Sequence, residues 1–289
     1  MAIYKIYVLD PKDWDLWFDA IPWTQRPRKL YTPKQWSIKN GNPTLTTNLT
    51  YFNWDSAEAR RADTVYACTQ YLRIMRYASD CGYAGYESSA KPANKNDGKG
   101  RTVEKIILPN GDIVSGYSLG IKNGVVVSKS TSGLSCRNGI GITKDGKYIV
   151  AQTNAITSVK TFCSNVLTKV KKLGYDIDLF FEMDGGGSVG TYSSKSKLLF
   201  APKKEGADGR TVASCLCMNY KGNMKITRTL KKGCSGEDVK LLQIILGTVE
   251  ADGIYGNGTV SAVKSAQKAL GLKADGIAGP ITLKALGLQ

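Results

Sequence analysis

Leu179-Phe180-Phe181-Glu182-Met183-Asp184-Gly185-Gly186-Gly187-Ser188 is the most informative stretch of this 289-residue chain. A run of large apolar residues ends abruptly in Asp-Gly-Gly-Gly-Ser, which predicts a buried strand that delivers a carboxylate into a loop. Three consecutive glycines lose much conformational entropy on folding, and a packed core does not require them. Such a loop suits a backbone that approaches a ligand with its N–H groups directed at an anion, although an ordinary turn can have the same composition.

The segments on either side predict the elements that surround this strand. Apolar residues between positions 157 and 173 recur at helical spacing, with Ser158 or Thr157 as the cap and Gly174 as the stop. Residues 139–150 predict two strands joined by an Asp-Gly hairpin turn, and residues 210–218 alternate like a further strand. Together these segments predict an α+β domain in which a mixed sheet packs against helices.

In this order the residues resemble the phosphodiester glycosidase family. The family has a strand ending in Asp-Gly-Gly-Gly-Ser after a helix and a Leu-Gly turn, here Leu173-Gly174. Its Arg-x-x-Ile-Gly strand is matched by residues 137–141, and the arginine that opens its closing strand is matched by Arg210. Residues 47–52 are similar to a further family element, and the resemblance covers roughly residues 40–220. Glu182 departs from the pattern, because the family often has asparagine there.

The resemblance implies cleavage of a sugar–phosphate bond, with Asp184 as the central carboxylate. Glu182 lies two residues earlier and is expected on the same face, where it either shares the acid and base roles or hydrogen-bonds the substrate. Asn48 is expected to orient a sugar hydroxyl or the phosphate, and a divalent cation near Asp184 stays open. The groups expected to hold the phosphate are Gly185, Gly186, Gly187, Ser188, Arg137 and Arg210. For each arginine, a structural ion pair is an equal alternative.

A second unit lies at the C-terminus, where residues 252–259 and 275–282 form an internal repeat. The glycines suit tight turns, and Thr259 or Pro280 starts a helix, while residues 235–238 cap an earlier helix. Three short helices joined by Asp-Gly turns resemble the peptidoglycan-binding domain of bacterial and phage lytic enzymes. The resemblance implies that the residues that bind peptidoglycan are Asp252, Gly253, Tyr255, Asp275 and Gly276.

The predicted organisation is therefore an α+β catalytic domain over residues 1–222, a linker over 223–230 and a small all-α, three-helix domain over 231–289. The net charge is +16, of which +2 belongs to the last 59 residues and +14 to the rest. A basic catalytic domain suits an anionic wall polymer such as teichoic acid, although charge alone is equally compatible with solubility or nonspecific attraction to nucleic acid. No nucleic-acid-binding motif is present.

The chain contains no histidine. This absence excludes His-ligated zinc amidases and peptidases, Cys-His peptidases and Ser-His-Asp hydrolases. Carboxylate chemistry, or chemistry with an oxygen-ligated metal, remains. No cofactor is indicated beyond the open divalent cation.

Seven cysteines without a Cys-x-x-Cys pair, and an N-terminus without an export signal, predict synthesis in a reducing cytosol. No apolar run has the length of a membrane span. We expect a protein that reaches the bacterial cell wall through phage-mediated release, as an endolysin does. Three functions compete: a phosphodiester glycosidase acting on a wall polymer, an endolysin that cuts peptidoglycan glycan strands, and a non-enzymatic wall-binding component of a phage particle.

Two further predictions concern the N-terminal region. Its aromatic residues Trp14, Trp17, Phe18, Trp23 and Trp36 are expected in the core or at domain contacts, in preference to a sugar-stacking surface. Residues 57–77 predict a helix, and residues 90–101 an exposed loop.

Overall fold

The computed structural model describes residues 4–20, 30–49, 72–75, 105–110, 113–116, 119–202, 208–212 and 214–289. The strands are β1 (Tyr4–Leu9), β2 (Trp14–Ala20), β3 (Leu45–Asn48), β4 (Leu72–Met75), β5 (Lys105–Ile107), β6 (Ile113–Gly116), β7 (Leu119–Lys122), β8 (Val125–Val126), β9 (Ser135–Thr143), β10 (Tyr148–Thr157), β11 (Ile177–Met183), β12 (Thr191–Ser193), β13 (Leu199–Phe200) and β14 (Ser214–Tyr220). The α-helices are α1 (Pro33–Lys39), α2 (Val159–Lys172), α3 (Glu237–Leu246), α4 (Asn257–Ala269) and α5 (Pro280–Ala285).

The strands of the N-terminal domain form two large sheets and a small one. The first sheet has the order β1-β10-β9-β11-β7-β8, the second β13-β12-β3-β14-β2, and the small sheet β4-β6-β5. Every strand pair among the described residues is antiparallel, so the α+β class is confirmed but the mixed pairing is not seen. Short connections such as the β9–β10 hairpin favour antiparallel neighbours, since a parallel pair needs a long crossover.

Helix α2 covers the outer face of the first sheet, as its spacing predicts. Ser158 caps the helix by accepting a hydrogen bond from the Thr161 N–H at 3.2 Å. The buried side chains of α2 pack against Ile6 of β1, Ile149 of β10 and Phe180 of β11. The cap, the helix and the hairpin turn at positions 144–147 are confirmed by the structure.

The two large sheets face each other across the main core. The first sheet contributes residues such as Tyr7, Val150 and Phe181, and the second contributes residues such as Leu16 and Leu216. The far side of the second sheet is covered by α1, whose Trp36 is fully buried with its indole N–H donated to the Val212 carbonyl at 3.0 Å. The layers are therefore α2, first sheet, second sheet and α1, with the site strand β11 inside the first sheet.

The aromatic prediction is confirmed where the structure describes the residues. Trp14, Phe18 and Trp36 are buried and Trp17 is half-buried, while Trp23 lies outside the described residues. The helix predicted over 57–77 lies mostly outside them too, as does the loop over 90–101. At its described end, Leu72–Met75, that helix prediction is wrong, because these residues pair with β6 as strand β4. Strand pairing overrides a helical pattern that has only local support.

Two buried glutamines hold the turns between the C-terminal helices. The side-chain amide of Gln243 donates to Asp252 Oδ1 at 2.8 Å and to Thr259 Oγ1 at 3.0 Å, and its Oε1 accepts from the Gly253 N–H at 2.8 Å. Gln267 makes the equivalent bonds in the second copy of the repeat, and both glutamines are 1% exposed. In both copies of the internal repeat, a buried glutamine therefore holds the turn through the same set of hydrogen bonds. The small helical domain confirms the predicted fold class.

The two domains contact each other beyond the chain connection. Ser193 Oγ donates to the Ile245 carbonyl at 2.6 Å, and Ser196 Oγ donates to the Leu246 carbonyl at 2.9 Å. These carbonyls end α3 and lack partners within the helix. In the segment predicted as a linker, the Ile226 N–H donates to the Leu288 carbonyl at 2.8 Å, and its side chain is buried. The predicted linker is therefore packed on the helical domain at Ile226.

Candidate functional site

Strand β11 delivers Asp184 from the middle of the first sheet. It pairs with β9 on one side and β7 on the other, and its side chains are almost all buried. Two glycines on β9 make room for it: a Cβ at Gly139 would lie 2.3 Å from the Phe180 ring, and one at Gly141 would lie 2.6 Å from the Leu179 carbonyl oxygen. The Gly-Ile-Gly pattern at 139–141 is therefore a packing requirement of the strand that carries the carboxylate.

Asp184 is a buried carboxyl group with an incomplete set of partners. It is 9% exposed, and its Oδ2 has no hydrogen-bond partner among the described residues. Burial raises its pKa from an ordinary 3.8 to about 7; a hydrogen bond from Ser188 and the charge of Arg210 lower this pKa, and the charge of Glu182 raises it. At neutral pH the group is therefore divided between its protonated and ionised forms.

The glycine loop holds this carboxyl close to neighbouring backbone. A Cβ at Gly185 would lie 2.5 Å from the Cys136 carbonyl oxygen, and Gly186 has a φ of +62°, a conformation that favours glycine. Residues Gly186–Ser188 then form a single 3-10 turn, in which Ser188 is buried. The loop therefore requires glycine at 185 for the close approach to the Cys136 carbonyl and favours glycine at 186 for its backbone conformation. It places Ser188 where its side chain hydrogen-bonds Asp184.

Arg137 and Glu182 form a buried ion pair. Arg137 Nη1 contacts Glu182 Oε1, the Arg137 Nε donates to the Thr157 carbonyl at 3.0 Å, and Nη2 donates to the Gly133 carbonyl. The two side chains are 9% and 4% exposed. The structure thus shows the ion pair that the sequence left as an alternative for Arg137. Together with the two carbonyl contacts, this pair engages Nε, Nη1 and Nη2 of the guanidinium. Phosphate binding by Arg137 stays a prediction.

Asn48 connects the second sheet to the backbone at Asp184 and Gly190, on either side of the glycine loop. Its Nδ2 donates to the Asp184 carbonyl at 2.7 Å, and its Oδ1 accepts from the Gly190 N–H at 3.2 Å. The Asp184 N–H in turn donates to the Leu49 carbonyl at 3.1 Å. In this structure Asn48 therefore orients the backbone on which the carboxylate stands; a direct contact between Asn48 and substrate stays a prediction.

Three further polar residues support Asn48, and the sequence reasoning missed them. Asn138 Nδ2 donates to the Asn48 carbonyl at 2.9 Å. Gln152 Nε2 donates to Asn48 Oδ1 at 3.4 Å and to Thr47 Oγ1 at 2.6 Å, and Thr191 Oγ1 donates in turn to Gln152 Oε1. All are at most 2% exposed. The available signal was the presence of uncharged polar residues at inward-facing strand positions, where alternation predicts apolar ones.

The structure brings Asp184, Glu182, Arg137, Asn48 and the glycine loop together at one end of β11. Arg210 lies half-buried just before β14, and its charge acts on Asp184. In the described part of the chain, no three His, Cys, Asp or Glu residues gather as a metal-binding group. Within the same ranges, no helix combines the length and the apolar character that crossing a membrane requires.

The residues predicted to bind peptidoglycan lie in the turns of the helical domain. Asp252 and Asp275 accept hydrogen bonds from the buried glutamines, and Gly253 and Gly276 donate their N–H groups to them. Tyr255 is 1% exposed and donates its hydroxyl to the Gly276 carbonyl at 3.0 Å. The structure gives all five a role in shaping the turns, and their contact with glycan stays a prediction.

Comparison with known families confirms both resemblances. Residues 84–218 match the phosphodiester glycosidase family, and residues 235–286 match the peptidoglycan binding domain family. A solved zebrafish structure, the N-acetylglucosamine-1-phosphodiester alpha-N-acetylglucosaminidase catalytic domain auto-inhibited by its pro-peptide, is 11% identical. That match has a TM-score of 0.46 and covers 76% of this chain and 84% of the zebrafish chain.

The other similar proteins share a short region. A probable N-acetylmuramoyl-L-alanine amidase of Bacillus licheniformis is 55% identical over 64 residues, 20% of this chain and 18% of the amidase. The amidase CwlL of the same organism is 42% identical over 95 residues, 30% of this chain and 26% of that protein. A Clostridioides difficile peptidoglycan-binding protein structure is 46% identical, with a TM-score of 0.21, over 21% of this chain and 41% of the other.

The chain thus spans only about a fifth to a quarter of the length of the curated relatives it matches. The matches with the two amidases cover only short peptidoglycan-binding regions, so the activity in those names is not carried over to this chain.

Proposed function

We propose that this phosphodiester-glycosidase-like protein is a cell-wall hydrolase that cleaves a sugar–phosphate bond in a wall polymer, while its C-terminal domain binds peptidoglycan. One observation carries the proposal: Asp184, a buried carboxyl group with a pKa of about 7 and an unpartnered Oδ2 among the described residues, stands beside a glycine loop and within the field of an arginine. A buried, perturbed carboxyl that is not used by the fold is a candidate catalytic group.

Asp184 suits proton transfer in this reaction. Its protonated form donates a proton to the phosphate oxygen as the bond between that oxygen and the anomeric carbon breaks. Water then bonds to that carbon and gives a proton to the ionised carboxylate, which returns Asp184 to its starting form. A pKa near 7 populates both forms at neutral pH. The N–H groups of the glycine loop, Ser188 and Arg210 supply donors and positive charge for the departing phosphate.

Glu182 has a more limited role in this proposal. Because the Glu182 carboxylate is paired with Arg137, it is less suited to exchange a proton. Its charge acts on Asp184 and raises the pKa of that carboxyl group. In this proposal Asp184 donates and accepts the proton, and the Arg137–Glu182 pair has the structural role of holding the end of β9 against β11.

The test is a release assay on purified walls, with and without their teichoic acid, that follows soluble phosphate and reducing sugar. Wild type is compared with Asp184→Asn and with a matched control, Asp176→Asn, which changes an exposed carboxylate just before β11. We expect phosphate-bearing fragments from unstripped walls with the wild type and the control, and none with Asp184→Asn.

Two other outcomes would replace the proposal. Reducing ends from stripped walls would make the protein a peptidoglycan glycosidase. Release from neither substrate, with the protein still sedimenting with walls, would indicate a non-enzymatic wall-binding component. Delivery to the wall by a phage lysis system is a separate proposal, tested by whether lysis of producing cells requires a co-expressed holin.

A further inference from the structure

A cavity of about 550 Å³ opens beside the second sheet, lined by residues of α1, β12 and the β12–β13 turn. Pockets that hold small ligands fall in the same range of volume. Apolar side chains form part of its wall, namely Ile38, Leu198 and Leu199. Neither Asp184 nor the glycine loop is among its lining residues, so it is distinct from the site described above.

The charged groups of the cavity favour an anionic ligand. Lys34 and Lys197 are exposed at its rim, and Asp208 is the acidic residue beside them. Tyr192 is 7% exposed within the wall, and its pKa is raised by burial and by the charge of Asp208. An aromatic and aliphatic wall suits the C–H face of a sugar ring, and two ammonium groups suit a negatively charged substituent.

Two lining residues have a backbone conformation that is uncommon for their types. Asn42 has a φ of +59° and Lys197 a φ of +60°. Asparagine tolerates the left-handed region, but a lysine pays more for it than asparagine or glycine would. A lysine kept in this conformation at a cavity rim is consistent with a role for its charge there, since backbone strain concentrates at ligand sites.

Two parts of the cavity lining are neighbours along the chain of the domain contact and of Arg210. Ser193 at the end of β12 and Ser196 in the β12–β13 turn donate their hydroxyls to the last carbonyls of α3. Asp208, also in the lining, is two residues from Arg210, whose charge acts on Asp184. The lining therefore adjoins the domain contact through Tyr192 and Lys197, and it adjoins Arg210 through Asp208.

We propose that this cavity is a subsite for an anionic saccharide unit of the wall polymer, held by Lys34 and Lys197 against the Tyr192 wall. This inference rests on the proposed function and adds where the polymer lies between the peptidoglycan-binding domain and Asp184. Phosphate on a teichoic acid unit and carboxylate on a peptidoglycan fragment are two sources of the same charge, and the test separates them.

The experiment measures binding in the absence of turnover. Full-length protein carrying Asp184→Asn is titrated calorimetrically with teichoic acid chains released from walls, with soluble peptidoglycan fragments free of teichoic acid, and with neutral N-acetylglucosamine oligomers. Lys197→Asn removes the charge but keeps a residue that tolerates the positive φ. Lys144→Asn, in the exposed β9–β10 turn, removes the same charge elsewhere and is the matched control.

We expect Lys197→Asn to weaken binding of the teichoic acid chains about two- to fivefold, as the loss of one exposed charge contact would, and Lys144→Asn to leave it unchanged. Asp208→Asn is expected to strengthen binding by a similar factor, because it removes the acidic residue at the same cavity. The thermal midpoint of Lys197→Asn is expected to stay equal or rise, since the backbone conformation becomes less costly.

Equal weakening by Lys197→Asn and Lys144→Asn, or none by either, would overturn the subsite. The same pattern with stripped peptidoglycan fragments instead of teichoic acid would support the subsite and assign the charge to a carboxylate. Charge-independent binding of the neutral oligomers alone would reject an anionic ligand. Because binding is measured without cleavage, a wild type that releases nothing from walls would refute the proposed function without altering these outcomes.

Discussion

Replacing Asp184 by asparagine is expected to abolish hydrolysis and to stabilise the protein at neutral pH. The folded-state pKa of Asp184 is about 7, above the ordinary 3.8. Between these values the folded protein holds a proton that the unfolded chain has lost. The contribution of this group to stability is therefore complete below pH 3.8, falls as the pH rises towards 7, and stays low above that.

The size of the effect follows from the two pKa values. The difference between 3.8 and about 7 corresponds to about 4 kcal/mol, since each tenfold change in acid dissociation is about 1.36 kcal/mol. Asparagine carries no charge at any pH. The free energy of unfolding of the variant, relative to wild type, should therefore increase by about 4 kcal/mol between pH 3.5 and pH 8.

Urea unfolding at a series of pH values provides the measurement. The chain has no histidine, so few other groups titrate between pH 5 and 8. All five tryptophans precede residue 55, so tryptophan fluorescence reports the N-terminal domain. Asp176→Asn, which changes an exposed carboxylate, should show no comparable pH dependence relative to wild type.

A stability difference between wild type and Asp184→Asn that does not vary with pH would refute the reasoning. It would mean that Asp184 stays ionised in the folded protein, held by a positive partner strong enough to offset burial. A difference that grows as the pH falls would show that the sign of the pKa shift is wrong.

Three further predictions concern the supports of the site and of the helical domain. Arg137→Met should lower the free energy of unfolding by about 3 kcal/mol, because it removes the buried cation that pairs with the Glu182 carboxylate, and adding Glu182→Gln should recover part of that loss. Gly185→Ala should lower activity and cost about 1 to 3 kcal/mol, because its Cβ would meet the Cys136 carbonyl. Gln267→Leu should cost about 3 kcal/mol in the helical domain and weaken sedimentation with walls, because it leaves the bonded turn groups without partners.

Each of these predictions has a matched outcome that would contradict it. Unchanged stability in Arg137→Met, with loss of substrate binding only, would restore Arg137 as a phosphate ligand. Gly258→Ala, in the first turn of α4, adds a methyl group at an ordinary contact distance of 3.5 Å from Val249 and should be neutral or stabilising, so equal effects of the two alanines would remove the close-approach argument. For the glutamine, urea unfolding of the full-length protein is followed by circular dichroism, which reports the helices of both domains, and by tryptophan fluorescence, which reports the N-terminal domain. A circular dichroism transition equal to that of wild type would show that the hydrogen bonds of Gln267 are dispensable.

Local patterns in the sequence predict several elements of the site correctly. The apolar run before Asp184 forms β11, the helical stripe forms α2 with Ser158 as its cap, and the Asp-Gly turn joins β9 to β10. These features depend on side-chain periodicity, caps and turn chemistry, which act over a few residues and can be recognised without knowledge of the fold. The repeat in the last 59 residues likewise encodes a small helical domain.

Sequence reasoning is weaker where a residue's role depends on a distant partner. It could not decide between an ion pair and a phosphate contact for Arg137, whose partner Glu182 lies 45 residues away. It placed Asn48 near substrate but could not show that Asn48 binds the Asp184 carbonyl 136 residues along the chain. It also predicted a helix through Leu72–Met75, which pairs as a strand.

The sequence by itself therefore determined that this chain has a strand ending in a carboxylate and a glycine loop, a family resemblance, and a separate helical domain. Only the tertiary structure decided that Asp184 is buried enough to hold a proton near neutral pH, that Glu182 is neutralised by Arg137, and that Asn48 fixes the loop. The reason is physical: burial and long-range hydrogen bonds depend on how two sheets are registered and packed, and neither is a property of any local stretch of sequence.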